Sequence, residues 1–240
     1  PVGDGDHYRV FRKRDAASEP FTCGVHDLVA PDNGLPRLRI AKARPNGNNL
    51  RTYRFAAALT GEYTQFFANL NCPAGSPANC PETAAAAALA TTMNRVTGLM
   101  ERDTAVSFSI VATRIFTDPA TDPYTNGTSV DATLLNQNQT TLDANPGSAA
   151  YDLGHVFTAA TGGSGPGRAC SATKARGGTG RPNPSGDPYD VDYVAHELGH
   201  QLSASHTWTG TGNSCTAGQF TATSAFEPGS GSTIMGYAGI

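Results

Sequence analysis

The chain has 240 residues, enough for one substantial hydrophobic core, and 15% of them are charged. Its formal net charge of -3 provides no basic face, which excludes nucleic acid as an expected partner. No apolar run reaches about 18 residues, so the sequence predicts no membrane span.

The first 47 residues are rich in Arg, Lys and turn formers, which predicts an extended segment lying on a domain. Beyond them, β-branched and aromatic stretches predict strands, and alanine-rich or amphipathic stretches predict helices. The predicted strands are 50–59, 105–116 and 151–157. The predicted helices are 81–100, 131–143 and 190–202, with a glycine-rich loop over 162–186. This alternation predicts an α/β sandwich in which one sheet carries helices, with the strand 105–116 at its centre.

The last predicted helix contains the most informative pattern, His196-Glu197-Leu-Gly-His200, followed by His206. Residues four apart lie on one helix face, so the imidazoles of His196 and His200 can converge on one ion. His206 follows six residues later and cannot share that face, which predicts that the helix ends near Ser203. Three imidazoles leave the fourth position of a tetrahedral zinc ion to water, as in catalytic sites.

Glu197, next to the first ligand, is the expected general base. Its carboxylate can take a proton from a zinc-activated water and pass it to the leaving amine. The sequence therefore predicts a Zn²⁺-dependent hydrolase, with protein or peptide substrates as its partners. Acidic, carbonyl-rich loops such as 118–131 could take calcium, but no EF-hand spacing supports such a site.

A second motif, Ser232-Thr-Ile-Met235-Gly-Tyr237, follows His206. Together the two motifs resemble the metzincin clan of zinc proteases, and the chain is most similar to its reprolysin-like members. The resemblance implies an α/β (α+β) fold: a twisted mixed sheet, a backing helix, an active-site helix, and a small irregular subdomain after the third histidine. It also implies that Met235 forms an apolar floor under the metal. Tyr237 is then either a catalytic residue near the metal or a packed turn residue.

The sequence departs from the clan pattern at two positions. The glycine after the second ligand is replaced by Ser203, so either this serine adopts a left-handed conformation or the bend is made differently. Metzincins also usually continue into a C-terminal helix, so we expect Ile240 to be followed by further residues in the natural protein.

Five cysteines without metal-ribbon spacing favour disulfides in an exported protein, rather than thiols in a cytosolic one. The short Pro/Gly loop between Cys72 and Cys80 predicts a local bridge. Cys170 and Cys215 are the candidates for a second bridge, which would join the loop before the active-site helix to the segment after it.

The odd cysteine, Cys23, lies in a Cys-Gly-Val sequence similar to the cysteine switch of reprolysin-like propeptides. This resemblance implies that the Cys23 thiolate is a zinc ligand that keeps the enzyme latent until cleavage among basic residues within 37–44. The alternative is that Cys23 forms a disulfide. The predicted domains are a propeptide or extension over 1–47 and a catalytic domain over 48–240, the latter divided into 48–206 and 207–240.

The resulting hypothesis is a secreted zinc endopeptidase made as a zymogen, with its oligomeric state left open. Two alternatives use the same residues: a zinc amidase or deacylase acting on non-peptide amides, and a non-catalytic module that keeps zinc for structure. Glu197 favours catalysis, since a structural site has no need of it. His155, on the strand 151–157, is either a cleft residue beside an extended substrate or simply an exposed strand residue.

Overall fold

The computed structural model of the chain describes residues 49–125, 127–212, 214–216 and 218–237. The predicted propeptide segment 1–47 and its Cys23 therefore lie outside the described residues. The division into propeptide and catalytic domain stays a prediction.

Five strands of the described region form one sheet in the order β2-β1-β3-β5-β4. The strands are β1 (Arg51–Leu59), β2 (Val106–Ile115), β3 (Leu153–Thr158), β4 (Gly162–Ser164) and β5 (Gly178–Gly180). The pairs β1–β2, β1–β3 and β3–β5 are parallel, whereas β4 runs antiparallel to β5. The sheet is therefore mixed, and helices pack on it, which confirms the predicted α/β (α+β) fold class.

Three longer helices flank this sheet: α1 (Gly61–Asn71), α2 (Cys80–Thr104) and α3 (Ala132–Leu142). Three consecutive helical segments follow β5: α4 (Asp187–Tyr189), a π-helical segment (Asp190–Ala195) and α5 (His196–Gln201). We call this stretch, 187–201, the active-site helix. None of the described helices combines the length and apolar character that a membrane span requires.

The sheet is buried on both faces at its interior strand β1, whose side chains alternate between two cores. Phe55 and Leu59 pack with α1, α2 and the active-site helix, whereas Ala56 and Ala58 face the core formed with α3. All four side chains are fully buried. This two-residue period is the one expected for a strand, and it places the active-site helix on the same face as the long helix α2.

Three expectations about secondary structure were wrong. The strand 105–116, expected at the centre, is the edge strand β2, and Ile110 and Val111 in its middle are 42% and 45% exposed. The expected glycine-rich loop contains the short strands β4 and β5. Helix α1 was not predicted, although Thr60 accepts a hydrogen bond from the backbone N–H of Tyr63 and so caps its start.

The predicted local disulfide between Cys72 and Cys80 is present and closes the loop between α1 and α2. The predicted bridge between Cys170 and Cys215 is absent, since both thiols are free. Cys170 is exposed on a loop. Its own backbone N–H donates a hydrogen bond to the carbonyl oxygen of Asp152, the residue before β3. Cys215 is instead buried in a separate cluster with Tyr193 of the active-site helix and with Trp208 and Tyr237, which follow that helix.

Candidate metal centre and active site

The active-site helix presents His196 and His200 from a fully enclosed segment, since all residues of α5 are buried. The helix then ends as predicted, because Ser203 adopts a left-handed conformation with φ of 74°. Ser203 N–H donates to His200 O at 2.8 Å, and Ala204 N–H donates to Gly199 O at 2.9 Å. These two bonds form a Schellman turn, and the reversed chain carries His206 back to the first two histidines.

The three histidines point their Nε2 atoms at one another. Nε2 of His200 lies 3.1 Å from both other Nε2 atoms, and those of His196 and His206 are 3.2 Å apart. In the described part of the chain, this is the one group of three or more potential ligands that converges on a point. The structure thus brings together the three predicted metal ligands.

The opposite ring nitrogens determine the tautomer of each histidine. Nδ1 of His196 lies 2.7 Å from Ile234 O, Nδ1 of His200 lies 2.8 Å from Ala204 O, and Nδ1 of His206 bonds to Gln219 O. A carbonyl oxygen can only accept, so each Nδ1 carries the proton and each Nε2 presents a lone pair. Three lone pairs cannot hydrogen-bond to one another. Their shared centre is therefore suited to a cation, and the donor set fits a metal with a preference for nitrogen ligands.

Burial keeps the rings of His196 and His200 neutral. Desolvation lowers the pKa of His196 to about 3, with repulsion from His206 adding to it. Desolvation also lowers the pKa of His200 well below its usual range, and the other two histidines contribute in the same direction. A histidine must be deprotonated at the binding nitrogen to hold a metal, so this environment favours the form that binds.

Glu197 is fully buried and lies against the sheet edge. A Cβ atom added to Gly163 of β4 would lie 2.5 Å from its Oε1 atom. The glycine thus permits the backbone of β4 to approach the carboxylate directly. The predicted general base and the last strand of the sheet are therefore immediate neighbours.

Tyr237 packs beside the histidine cluster. Its ring centroid lies 5.8 Å from that of His196, 5.1 Å from that of His206 and 5.3 Å from that of Trp208. Met235 packs on α5 itself, because an added Cβ on Gly199 would collide with its sulfur. The turn carrying Met235 and Tyr237 therefore contacts the ligand-bearing helix directly.

His155 does not line the cleft. It is fully buried on β3, an interior strand that pairs with β1 and β5 and has no free edge for a substrate. Its Nδ1 lies 2.7 Å from Gln201 Oε1 and its Nε2 2.8 Å from Thr179 Oγ1. Gln201 in turn donates to Gly154 O at 2.9 Å. The ring thus anchors the active-site helix to the sheet. No sequence pattern marks Gln201 beyond its place next to His200.

The comparison with known families agrees with this geometry. Three imidazoles that converge from a buried helix and from the chain after its terminal turn, next to a buried glutamate, are an arrangement suited to a metallopeptidase. The family model described as "Metallo-peptidase family M12B Reprolysin-like" matches residues 49–240. The chain therefore belongs to this metallopeptidase family, and the resemblance found in its motifs is confirmed.

Other comparisons add little. No curated protein matches the chain. A solved structure titled "Structure of a chaperone-substrate complex" is similar with a TM-score of 0.47 and 14% identity. The similarity covers 67% of this chain and 25% of that one, so this chain spans about a quarter of its length.

Proposed function

We propose that the chain is a secreted zinc-dependent endopeptidase with His196, His200 and His206 as the metal ligands and Glu197 as the general base. The supporting observation is the set of three Nε2 atoms 3.1–3.2 Å apart, each with its Nδ1 proton directed to a backbone carbonyl. Membership in a metallopeptidase family supports peptide bonds as the substrate class.

Zinc fits the three nitrogen donors, and when bound it would supply a water of lowered pKa and polarise the scissile carbonyl. The remaining chemistry belongs to the chain. Glu197, adjacent to the first ligand, accepts the proton of the attacking water and returns it to the amine of the leaving fragment. Its burial against β4 restricts the carboxylate and excludes bulk water from it.

The substrate is proposed to bind as an extended strand along β4. This strand is the last of the sheet and antiparallel to its neighbour, and Gly163 places its backbone directly over Glu197. Addition of a peptide strand to a sheet edge uses backbone hydrogen bonds, which suits a protease that accepts many sequences. A substrate held there passes next to the general base.

Tyr237 is proposed to assist from the other side of the cluster. Its ring lies against His196 and His206, and it is 1% exposed. A phenol in this place can donate a hydrogen bond to a developing oxyanion. Tyr237→Phe separates this role from packing, because the ring is retained and the hydroxyl is removed.

The proposal is tested with the full chain, its zinc content and cleavage of casein. Glu197→Gln should retain one zinc per chain while turnover falls by about 10²–10⁴-fold, the usual contribution of a general base. The matched control is Glu101→Gln, a change at an exposed glutamate of α2 that should leave both quantities unchanged. A parent chain that binds no zinc, or a Cys23→Ala chain that binds zinc and leaves casein intact, contradicts the endopeptidase assignment.

Latency through Cys23 is a further part of the proposal. A thiolate is a strong zinc ligand, and a single Cys23 ligand would occupy the place of the attacking water. Secretion is supported by the Cys72–Cys80 disulfide, since such bonds persist in oxidising compartments. Cys23→Ala in the intact chain should raise peptidase activity, and unchanged latency in that variant would remove the switch.

A further inference from the structure

The carboxylate of Glu227 accepts hydrogen bonds from two separate segments. Its Oε1 atom accepts the hydroxyls of Thr207 and Thr233, both at 2.5 Å. Its Oε2 atom accepts the backbone N–H of Ser232 at 2.6 Å, that of Thr233 at 3.1 Å, and the Ser232 hydroxyl at 3.2 Å. The Glu227 side chain thus joins Thr207, which follows His206, to Ser232 and Thr233, which precede Met235 in the same turn.

Backbone bonds reinforce the same junction. Glu227 N–H donates to Thr207 O at 2.8 Å, and Thr209 N–H donates to Glu227 O at 2.9 Å. Thr207 N–H donates to Met235 O at 3.2 Å. The segment after the third histidine, the segment around Glu227 and the Met235 turn are therefore fastened together at one place.

Both ends of this junction lead directly to a proposed metal ligand. Thr207 follows His206 in the chain. Ser232 and Thr233 precede Ile234, whose carbonyl oxygen accepts the Nδ1 proton of His196 at 2.7 Å. A shift of either segment would therefore move one imidazole relative to the other.

The environment of Glu227 suits a permanently charged acceptor. Desolvation would raise its pKa, but the hydrogen bonds from Thr207, Thr233 and the backbone of Ser232 and Thr233 lower the pKa to about 2. The carboxylate therefore stays ionised across the neutral pH range. Its two oxygens accept from five donors, which a neutral amide of the same shape cannot do.

We infer that Glu227 is a positioning residue of the metal centre, which sets His206 and His196 at their mutual spacing by tying Thr207 to the Met235 turn. This inference rests on the proposed zinc site. Glu227 neither binds the metal nor touches the substrate in this assignment. It acts as the hydrogen-bond partners of metal ligands usually act, by fixing where the ligand rings can lie.

The test is the zinc affinity of Glu227→Gln in the full chain, measured by competition with a chromophoric chelator. Glutamine can still accept the two threonine hydroxyls through its oxygen, but its NH₂ group cannot accept the N–H groups of Ser232 and Thr233. We expect zinc to bind about 10–100-fold more weakly, the usual cost of losing a partner that orients a ligand. Glu101→Gln removes an exposed charge of the same type and should bind zinc within about 2-fold of the parent.

A second series removes one bond at the other end. Thr207→Val deletes the hydroxyl and keeps the shape, whereas Thr207→Ser keeps the hydroxyl. We expect the valine variant to lose zinc affinity and the serine variant to recover most of it. If the two residues act as one unit, Glu227→Gln should cost less affinity in the Thr207→Val background than in the parent. The visible spectrum of the cobalt-loaded protein should change in the same variants, because it reports ligand geometry.

The outcomes separate this inference from the proposed function. A parent chain that binds no zinc overturns both. A parent chain that binds one zinc, together with a folded Glu227→Gln variant of unchanged affinity and cobalt spectrum, overturns the positioning role alone. Should Glu227→Gln fail to fold, Thr207→Val decides the matter, and unchanged affinity and spectrum there contradict the inference.

Discussion

The two sides of the histidine cluster are held by different kinds of structure. His196 and His200 belong to the buried helix α5, which is anchored to the sheet through Gln201. His206 lies beyond the turn at Ser203. The described residues after this turn form no helix and contribute no strand to the sheet. Its Nδ1 bonds to Gln219 O, and the hydrogen bonds of Glu227 hold the neighbouring Thr207.

This difference shows how one site combines rigidity with an irregular chain. On the helix side, the position of the ligands follows from packing between a helix and a sheet. On the other side, a small cluster of Tyr193, Trp208, Cys215 and Tyr237 supplies the apolar burial, and polar groups supply the alignment. Substitutions on the helix side should therefore change global stability most, and those beyond His206 should change the metal centre most.

The largest expected effect on stability is at Gln201. Gln201→Ala removes the acceptor of the His155 Nδ1 proton and the donor to the carbonyls of Gly154 and Lys174. Buried groups left without partners cost about 1–3 kcal/mol each, so we expect a loss of about 3–5 kcal/mol. Urea unfolding in the presence of a chelator measures it.

The matched control is Gln137→Ala, at a glutamine whose side chain makes two hydrogen bonds, both to Thr125 at the surface. Water can replace those bonds, so the cost should stay below about 1 kcal/mol. Equal losses at Gln137 and Gln201 would contradict the role of the buried network as the anchor of the helix.

The second prediction concerns pH and His155. Desolvation lowers the pKa of this ring to about 4, and the hydrogen bond that the ring donates to Gln201 acts in the opposite direction. The unfolded chain, with a histidine pKa near 6.5, binds the proton more readily than the folded chain between these values. Stability should therefore fall as the pH drops from about 6.5 to about 4, by about 3 kcal/mol from this residue.

His155→Gln isolates this contribution, because the amide retains a donor and an acceptor but does not titrate. The pH dependence of urea unfolding should be shallower in the variant over the range from about 6.5 to about 4. The neighbours that pack on the ring, Gln201, Thr179 and Phe157, do not titrate. Parallel curves for the parent and the variant would show that His155 is not buried as a neutral ring.

The sequence predicted the helix side of the site well, because its signals are local. The spacing of His196 and His200 defines a helix face, and the distance to His206 requires the turn found at Ser203. Glu197 was predicted from its place next to His196. The helices predicted over 81–100 and 131–143 are α2 and α3, and both exist close to their expected bounds.

The other features depend on contacts between distant parts of the chain. Strands β4 and β5 have three residues each and contain glycine, so no alternating apolar pattern marks them. Strand β2 is as apolar as a strand at the centre of a sheet. Nothing in its own sequence shows that it pairs with one neighbouring strand, β1, rather than with two. Glu227 lies 20 residues from Thr207, and its role follows from the folded turn rather than from a motif.

The third prediction tests the contact between the two sides. Gly199→Ala on α5 places a methyl group against the sulfur of Met235, which must move. Overpacking of this kind costs about 1–3 kcal/mol of folding stability. Zinc affinity should fall as well, because Ile234 in the same turn accepts the Nδ1 proton of His196.

Gly98→Ala in α2 is the control, since its added methyl meets no atom within 4 Å. That variant should gain about 0.5–1 kcal/mol, and a similar gain at Gly199 would mean that Met235 does not pack there.

The smallest expected effect is a gain of stability at Ser203. A non-glycine residue in the left-handed conformation costs about 1–2 kcal/mol, and Ser203 has φ of 74°. Ser203→Gly removes this cost. It also loses the exposed hydrogen bond that Arg168 donates to the serine hydroxyl at 3.1 Å, and it raises the conformational entropy of the unfolded chain. We expect a net gain of about 0.5–1 kcal/mol in urea unfolding. Ser203→Ala loses the same hydrogen bond but keeps the backbone strain. If the glycine variant is no more stable than the alanine variant, residue 203 is not strained in a left-handed conformation.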